Sequence, residues 1–155
     1  MYDINLILKD SGQVTSSGYG QVDGEAQVIN LGDGHVRGNI VFDATEIKIS
    51  SNDELYRLHL MGGSDGTFTQ EVSLCELELG ALEVVEGNQD SQIARYILPF
   101  QNEQAGTIYP YCRVRHELSG SSPEINYSAR FGKDHVMLGA MYPTVATTTT
   151  TTTTI

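Results

Sequence analysis

Four histidines (His35, His59, His116 and His135) and two cysteines (Cys75 and Cys112) are the residues of this chain whose types suit metal binding or nucleophilic catalysis. Their spacing suits neither. No H-E-x-x-H pair and no Cys-x-x-Cys pair is present. His59 and His116 fall on separate strand-like runs and could meet in space beside Cys75 or Cys112. Hydrogen-bonded or solvated histidines are far commoner than such a site, so no metal ligand is expected. Both cysteines sit in apolar runs and read as free, buried thiols. Among the serines there is no G-x-S-x-G elbow. The carboxylate pairs Asp53/Glu54 and Glu76/Glu78 have the composition for acid–base work, but Glu76 and Glu78 share one strand face and read as solvated surface. Residues 51–54 (SNDE) and 63–66 (GSDG) lack the ligand ladder of a calcium loop. Residues 32–38 (GDGHVRG) lack the lysine and the helix of a phosphate loop. The expectation is a protein with no catalytic residue and no cofactor, not an enzyme.

One stretch points to binding instead. In 109–115 (YPYCRVR), Tyr111, Arg113 and Arg115 alternate onto one face while Cys112 and Val114 take the other. Tyr and Arg combine contact area with directed hydrogen bonds, which enriches them at interfaces. Tyr109, Tyr111, Arg113 and Arg115 are therefore candidate partner-binding residues, a stripe for an acidic surface.

The elements that carry these residues read as strands. Residues 54–79 show strand, Gly-rich turn and strand: Tyr56, Leu58 and Leu60 alternate with Arg57, His59 and Met61, and Gly62 to Gly66 supply residues that tolerate positive φ. Val72/Leu74 and Leu77/Leu79 fall on opposite faces, which predicts a bulge or break at Cys75 and Glu76. Similar runs at 4–8, 26–31, 38–49, 55–61, 69–79, 92–100, 108–118 and 125–131 give about eight strands, with Asp-Gly steps as turn punctuation. Residues 11–20 read as a polar connection, and 80–90 as a loop. The predicted fold is all-β: an antiparallel, jelly-roll-like β-sandwich over residues 1–138. Sixteen glycines, four prolines and no tryptophan in 155 residues agree with a turn-rich β protein.

From residue 139 onward the composition changes. Eight threonines at 147–154 precede Ile155. Such a run has β propensity but no apolar periodicity, so 139–155 reads as an extended C-terminal tail or docking arm. Thr147, Thr150, Thr154 and Ile155 are its candidate contact residues. A net charge of −11 argues against nucleic acid, whose phosphates need a basic face, and against anionic membrane surfaces. The N-terminal residues have neither a basic n-region nor a spanning apolar run, so no signal peptide or transmembrane segment is expected.

The order of these pieces resembles the cement, or decoration, proteins of tailed-bacteriophage heads, the Bbp16-like group in particular. The carriers are AQVINLG at 26–32, the strand, S-D-G-x-F turn and strand at 58–82, RYILPFQN at 95–102 and YCRVRHELSG at 111–120. The resemblance spans residues 13–132 and rests on order and pattern; the threonine tail departs from it. It implies a protein made in the host cytoplasm that binds the major capsid protein on the outer capsid surface, acts as a homo-oligomer (dimer or trimer), and holds neighbouring capsomers together. The competing expectation is a carbohydrate-binding β-sandwich of a phage tail or surface protein, with Tyr19, Tyr109, Tyr111 and Tyr127 stacking on sugars.

Overall fold

The computed structural model describes residues 6–84, 87–132 and 136–137, and their regular structure is extended strand. In chain order the strands are β1 (Ile7–Val14), β2 (Gly18–Tyr19), β3 (Gln21–Val22), β4 (Glu25–Ala26), β5 (Ile29–Asn30), β6 (Val36–Ile47), β7 (Leu55–Gly63) and β8 (Glu71–Val84). They continue as β9 (Gly87–Asp90), β10 (Ala94–Gln101), β11 (Glu103–Gln104), β12 (Thr107–Ile108), β13 (Tyr111–Ser119), β14 (Ile125–Phe131) and β15 (Val136–Met137). One sheet runs β1-β14-β6-β10, with β15 also on β6. The other runs β2-β13-β7-β8-β9, with β5 also on β13. Every pairing is antiparallel.

If β2 to β5 are taken as one interrupted strand, eight segments carry the two sheets apart from the short β9 and β15: β1, β2–β5, β6, β7, β8, β10, β13 and β14. The first pairs with the eighth, the second with the seventh, the third with the sixth and the fourth with the fifth. A long hairpin rolled up in this way is a jelly roll, a β-sandwich of two Greek keys.

Strand alternation builds the core. On β13, Cys112, Val114 and His116 point inward while Tyr111, Arg113 and Arg115 are half-exposed. On β14, Ile125, Tyr127 and Ala129 are buried, with Asn126 and Ser128 between them on the wetter face. These side chains meet Ile40, Phe42 and Ala44 of β6 and Tyr56, Leu58 and Leu60 of β7 in one cluster. Phe100 and Phe131 close it with ring centroids 5.1 Å apart. Each large side chain so buried contributes about 1.5–3 kcal/mol.

Tyr56 ties the core to a corner. Its hydroxyl lies 2.6 Å from the Lys48 carbonyl and 3.0 Å from that of Glu124, and it accepts the Glu124 N–H at 2.8 Å. Tyr56→Phe keeps the ring and removes this junction, leaving buried backbone groups unpaired. The expected loss is about 1–2 kcal/mol in chemical denaturation at unchanged m-value. A loss near zero would mean that water replaces the hydroxyl.

The structure corrects the expectations in several places. The first strand runs through the polar residues 11–14, because β1 pairs with β14 as far as Val14↔Ile125. That ladder shifts register on either side of Lys9. The Lys9 ammonium donates to the carbonyls of Asp10 (2.8 Å), Gly12 (3.1 Å) and Tyr127 (2.7 Å), so backbone acceptors displaced by the irregularity gain a donor. Against the expected loop at 80–90, residues 80–84 and 87–90 are strand: β8 extends to Val84 and pairs with β9. The β8 bulge falls at Leu74, one residue earlier than expected, since Leu60 pairs with Cys75 and Met61 with Ser73.

Gly62 and Gly63 belong to β7, and neither has a positive φ. Gly63 is required by a close approach instead. A Cβ there would lie 2.3 Å from the Phe68 ring. Phe68 itself takes the left-handed conformation, with φ of 55°, and its ring is buried. The threonine arm, with Thr147, Thr150, Thr154 and Ile155, and also His135, lie outside the described residues.

Candidate functional site

The outward face of β13, β7 and β8 holds most of the chemistry-bearing side chains. Register sets Arg115 opposite His59 and Glu117 opposite Arg57 on one side of β7, and Glu76 opposite His59 and Glu78 opposite Arg57 on the other. Arg57 Nε donates to Glu78 Oε2 at 3.1 Å. Arg115 Nη2 donates to Glu117 Oε2 at 3.0 Å. Arg113 binds Glu71 at 2.8 Å, and its guanidinium lies 3.8 Å from the Tyr19 ring centroid and 4.0 Å from that of Phe68. Two aromatic faces and a carboxylate therefore hold Arg113 in place.

Tyr111, Arg113 and Arg115 share a face, as their alternation implies. Tyr109 does not join them: it is buried, and its N–H donates to the Asn102 carbonyl. Each of the three strand guanidiniums already has a carboxylate, so the stripe offers an acidic partner little unneutralised charge.

His59, nearly buried, sits at the centre of this face. Its Nε2 is 2.8 Å from Glu117 Oε1 and its Nδ1 is 3.0 Å from Ser73 Oγ, with Glu76 Oε1 at 3.6 Å. The hydrogen bond to His59, helped by Arg115, holds the Glu117 carboxyl below its usual range. Hydroxyl, imidazole and carboxylate in a line have the order of a nucleophilic relay. The surroundings do not complete one. The Ser73 hydroxyl donates to the Cys75 carbonyl at 3.3 Å. Strand N–H groups lie in the plane of the sheet, so they do not converge on an oxygen above its face. What the geometry supplies is a polar lattice that fixes three strands in register.

The residues considered for metal or redox chemistry are kept apart. His59 faces out and His116 faces in, on neighbouring strands. Burial pushes the Cys75 thiol up to about 11 and the Cys112 thiol up to about 12, so neither is a ready thiolate. Among the described residues no group of three His, Cys, Asp or Glu side chains is placed to hold a metal ion.

The acidic loops are internally occupied. Asp65 accepts the N–H groups of Thr67 and Thr69 and both their hydroxyls, with the Thr69 backbone bond first among the causes that hold its carboxyl at about 2. Asp53 accepts the N–H and hydroxyl of Ser121. Glu54, fully buried, accepts the Ser51 N–H.

Inside the sandwich, a second constellation was invisible in the sequence. His116 Nδ1 is 2.7 Å from the Tyr127 hydroxyl, and Lys9 Nζ lies 4.3 Å from the Tyr127 ring centroid. Burial, then the nearby Lys9 charge, pushes the His116 imidazolium down to about 4. Burial lowers the Lys9 ammonium to about 8, while the Asp10 carboxylate acts the other way. Burial also keeps the Tyr127 phenol protonated. Tyr109 and Tyr127 are thus buried, and Tyr19 has one face against Arg113, so the four tyrosines do not form a sugar-stacking platform.

On the outer face of the other sheet, Arg95 and Arg130 both donate to Asp43, at 2.7 Å and 2.5 Å. Burial alone would raise the Asp43 carboxyl, but these two bonds hold it below its usual range. Beside this pair, Ile93 is 62% and Ile97 59% exposed, against 37–39% for Tyr19, Val28 and Ile108. Among the described residues β10 ends its sheet, and Pro99 within it has no N–H to offer a further strand.

No protein-family model matches the chain, and no curated protein matches it. Among solved structures it is similar to a non-crystalline cellulose specific carbohydrate-binding module, CBM28, at 11% sequence identity over 84% of this chain and 94% of that chain, with a TM-score of 0.34. A likeness at that level bears on neither the ligand nor the partners of this chain.

Proposed function

We propose that the chain is a capsid cement protein, which binds the outside of a bacteriophage head and stabilises contacts between major capsid protein capsomers. The observation that carries this reading is the pair Ile93 and Ile97, both about 60% exposed, the first just before and the second on β10, which is an edge strand among the described residues. Isolated exposed aliphatics are ordinary. Here Ile93 lines a groove with Asp43, Thr45, Arg95 and Ser128, and Ile97 lies four residues further along the strand that ends the sheet among the described residues, which together offer a contact surface. The order of segments over residues 13–132 supports the same reading. A rigid sandwich suits stapling, since many symmetric copies add up without any catalytic group. The acidic balance of the chain discourages contact with packaged nucleic acid. The dimer or trimer, the host-cytoplasmic synthesis and the outer-surface location belong to this proposal, as does the docking of the threonine arm.

The test is reconstitution. Shells of the partner major capsid protein should bind it, and heads without it should release DNA at a lower temperature than decorated heads. Ile93→Asp with Ile97→Asp should weaken shell binding about tenfold or more without changing the melting of the isolated protein. Absence of binding, or the same release temperature with and without the chain, would refute the proposal.

A further inference from the structure

We propose that the cleft between the second half of β1 and the 15–19 segment is a binding site for a neutral saccharide, with the Nε2–H of His116 as its deepest donor. The cleft has a volume of about 490 Å³ and is lined by Lys9, Asp10, Gln13, Thr15, Tyr19 and His116, among others. Its size falls within the range of small-molecule sites. His116 at its floor is 4% exposed. The buried Tyr127 hydroxyl lies 2.7 Å from Nδ1 and has no other acceptor among the described residues, which assigns its proton to that contact and the neutral ring's proton to Nε2. That nitrogen lies beside Gly18, also on the cleft wall, where a Cβ would come within 3.4 Å of it. Among the described residues no protein acceptor takes the Nε2 proton. Nε2 opens on the cleft, where a ligand oxygen can take the place of water as its partner.

The charges around the cleft select the ligand class. The three N–H bonds of the Lys9 ammonium are directed at three backbone carbonyls, so Lys9 has none to offer an anion. The Asp10 carboxylate on the wall and the net charge of −11 repel anions further. The ammonium in turn disfavours a cation. What remains on the walls are hydroxyls and amides: Thr15, Ser16, Gln13 and Gln21. These donate and accept without charge, as sugar hydroxyls do. Tyr19, 39% exposed at the rim, adds an aromatic surface for the apolar face of a ring. This site is separate from the Ile93–Ile97 surface, so the failure of either proposal leaves the other standing.

The experiment follows the imidazole resonances of His116 in ¹⁵N-labelled protein during titration with cellobiose, maltose, lactose and chitobiose, with a glucuronate disaccharide as the anionic control. The expected result is a saturable shift of the His116 Nε2 signal with at least one neutral sugar, at about millimolar Kd, and none with the glucuronate. Gly18→Val places methyl groups in front of Nε2 and should weaken binding about tenfold or more with the fold intact. Should Gly18→Val fail to fold, the exposed Gln13→Ala serves the same comparison with a smaller loss. The proposal is overturned if no neutral sugar moves His116, if the glucuronate binds as well, or if the wall variant that folds binds as tightly as the parent.

Discussion

Lys9→Met is expected to destabilise the protein by about 3–5 kcal/mol at neutral pH, among the largest effects of any single substitution outside the apolar core. Methionine keeps most of the length and apolar volume of the side chain, so packing changes little. The loss is of hydrogen bonds, with relief of the buried charge offsetting part of it. Three backbone carbonyls, Asp10, Gly12 and Tyr127, lose a charged donor, and β1 loses what fixes its two register shifts against β14. For a domain of this size the melting temperature should fall by roughly 10 °C or more.

The same residue predicts an alkaline signature. Its folded pKa of about 8 lies below the ordinary 10.5. Between those values the unfolded chain holds a proton that the folded chain has released, so raising the pH favours the folded state. The parent should therefore gain stability from pH 8 towards 10.5, by up to about 3 kcal/mol. Lys9→Met should lack that slope. Urea unfolding at several pH values reads both effects. A loss below about 1 kcal/mol at neutral pH would mean that water satisfies the carbonyls.

Elements with strict alternation were legible in advance. The run 125–131 has the same bounds as β14, and 55–61 lies within β7. All eight segments of the rolled hairpin have a counterpart among the runs read from periodicity. The second is the weakest, because the structure breaks it into two-residue pieces between Gly18 and Asn30 that carry no period. β1 was underestimated for the opposite reason. Its polar half is held by pairing to β14 and by Lys9, a tertiary cause that local sequence cannot show. Gly63 was noticed, but for the wrong property: it makes room for the Phe68 ring.

The candidate site divides along the same line. Parity alone put Tyr111, Arg113 and Arg115 on one face. It could not reveal that Glu71, Glu78 and Glu117 neutralise the face, because those pairs depend on cross-strand register and on the Leu74 bulge. Parity along one strand also says nothing of the relation between strands. Only the match of Arg115 with His59 sends His116 inward while His59 faces out. That register turned a conceivable metal pair into two separate devices, a surface lattice and a buried donor.

The buried one carries an acid response of its own. Lowering the pH from 6.5 towards 4 is expected to cost up to about 3 kcal/mol of stability through His116. Its folded pKa of about 4 lies below the ordinary 6.5. The stabilisation is complete above 6.5 and is lost as pH falls through 4, since the unfolded chain takes up the proton first. Protonation in place would set an Nδ1–H against the Tyr127 hydroxyl and bring a second cation near the Lys9 ammonium. The lowered carboxylates Asp43, Asp65 and Glu117 release their contributions only as pH falls below their ordinary values of 3.8–4.5. These carboxylates therefore add little to the His116 slope between 6.5 and 4.5. His116→Gln keeps a side chain that can accept from Tyr127 but has no titration, so its stability should be lower at pH 7 and its slope across that interval shallower than the parent's by the His116 share. If the variant and the parent lose stability with the same slope, the acid response belongs to another group.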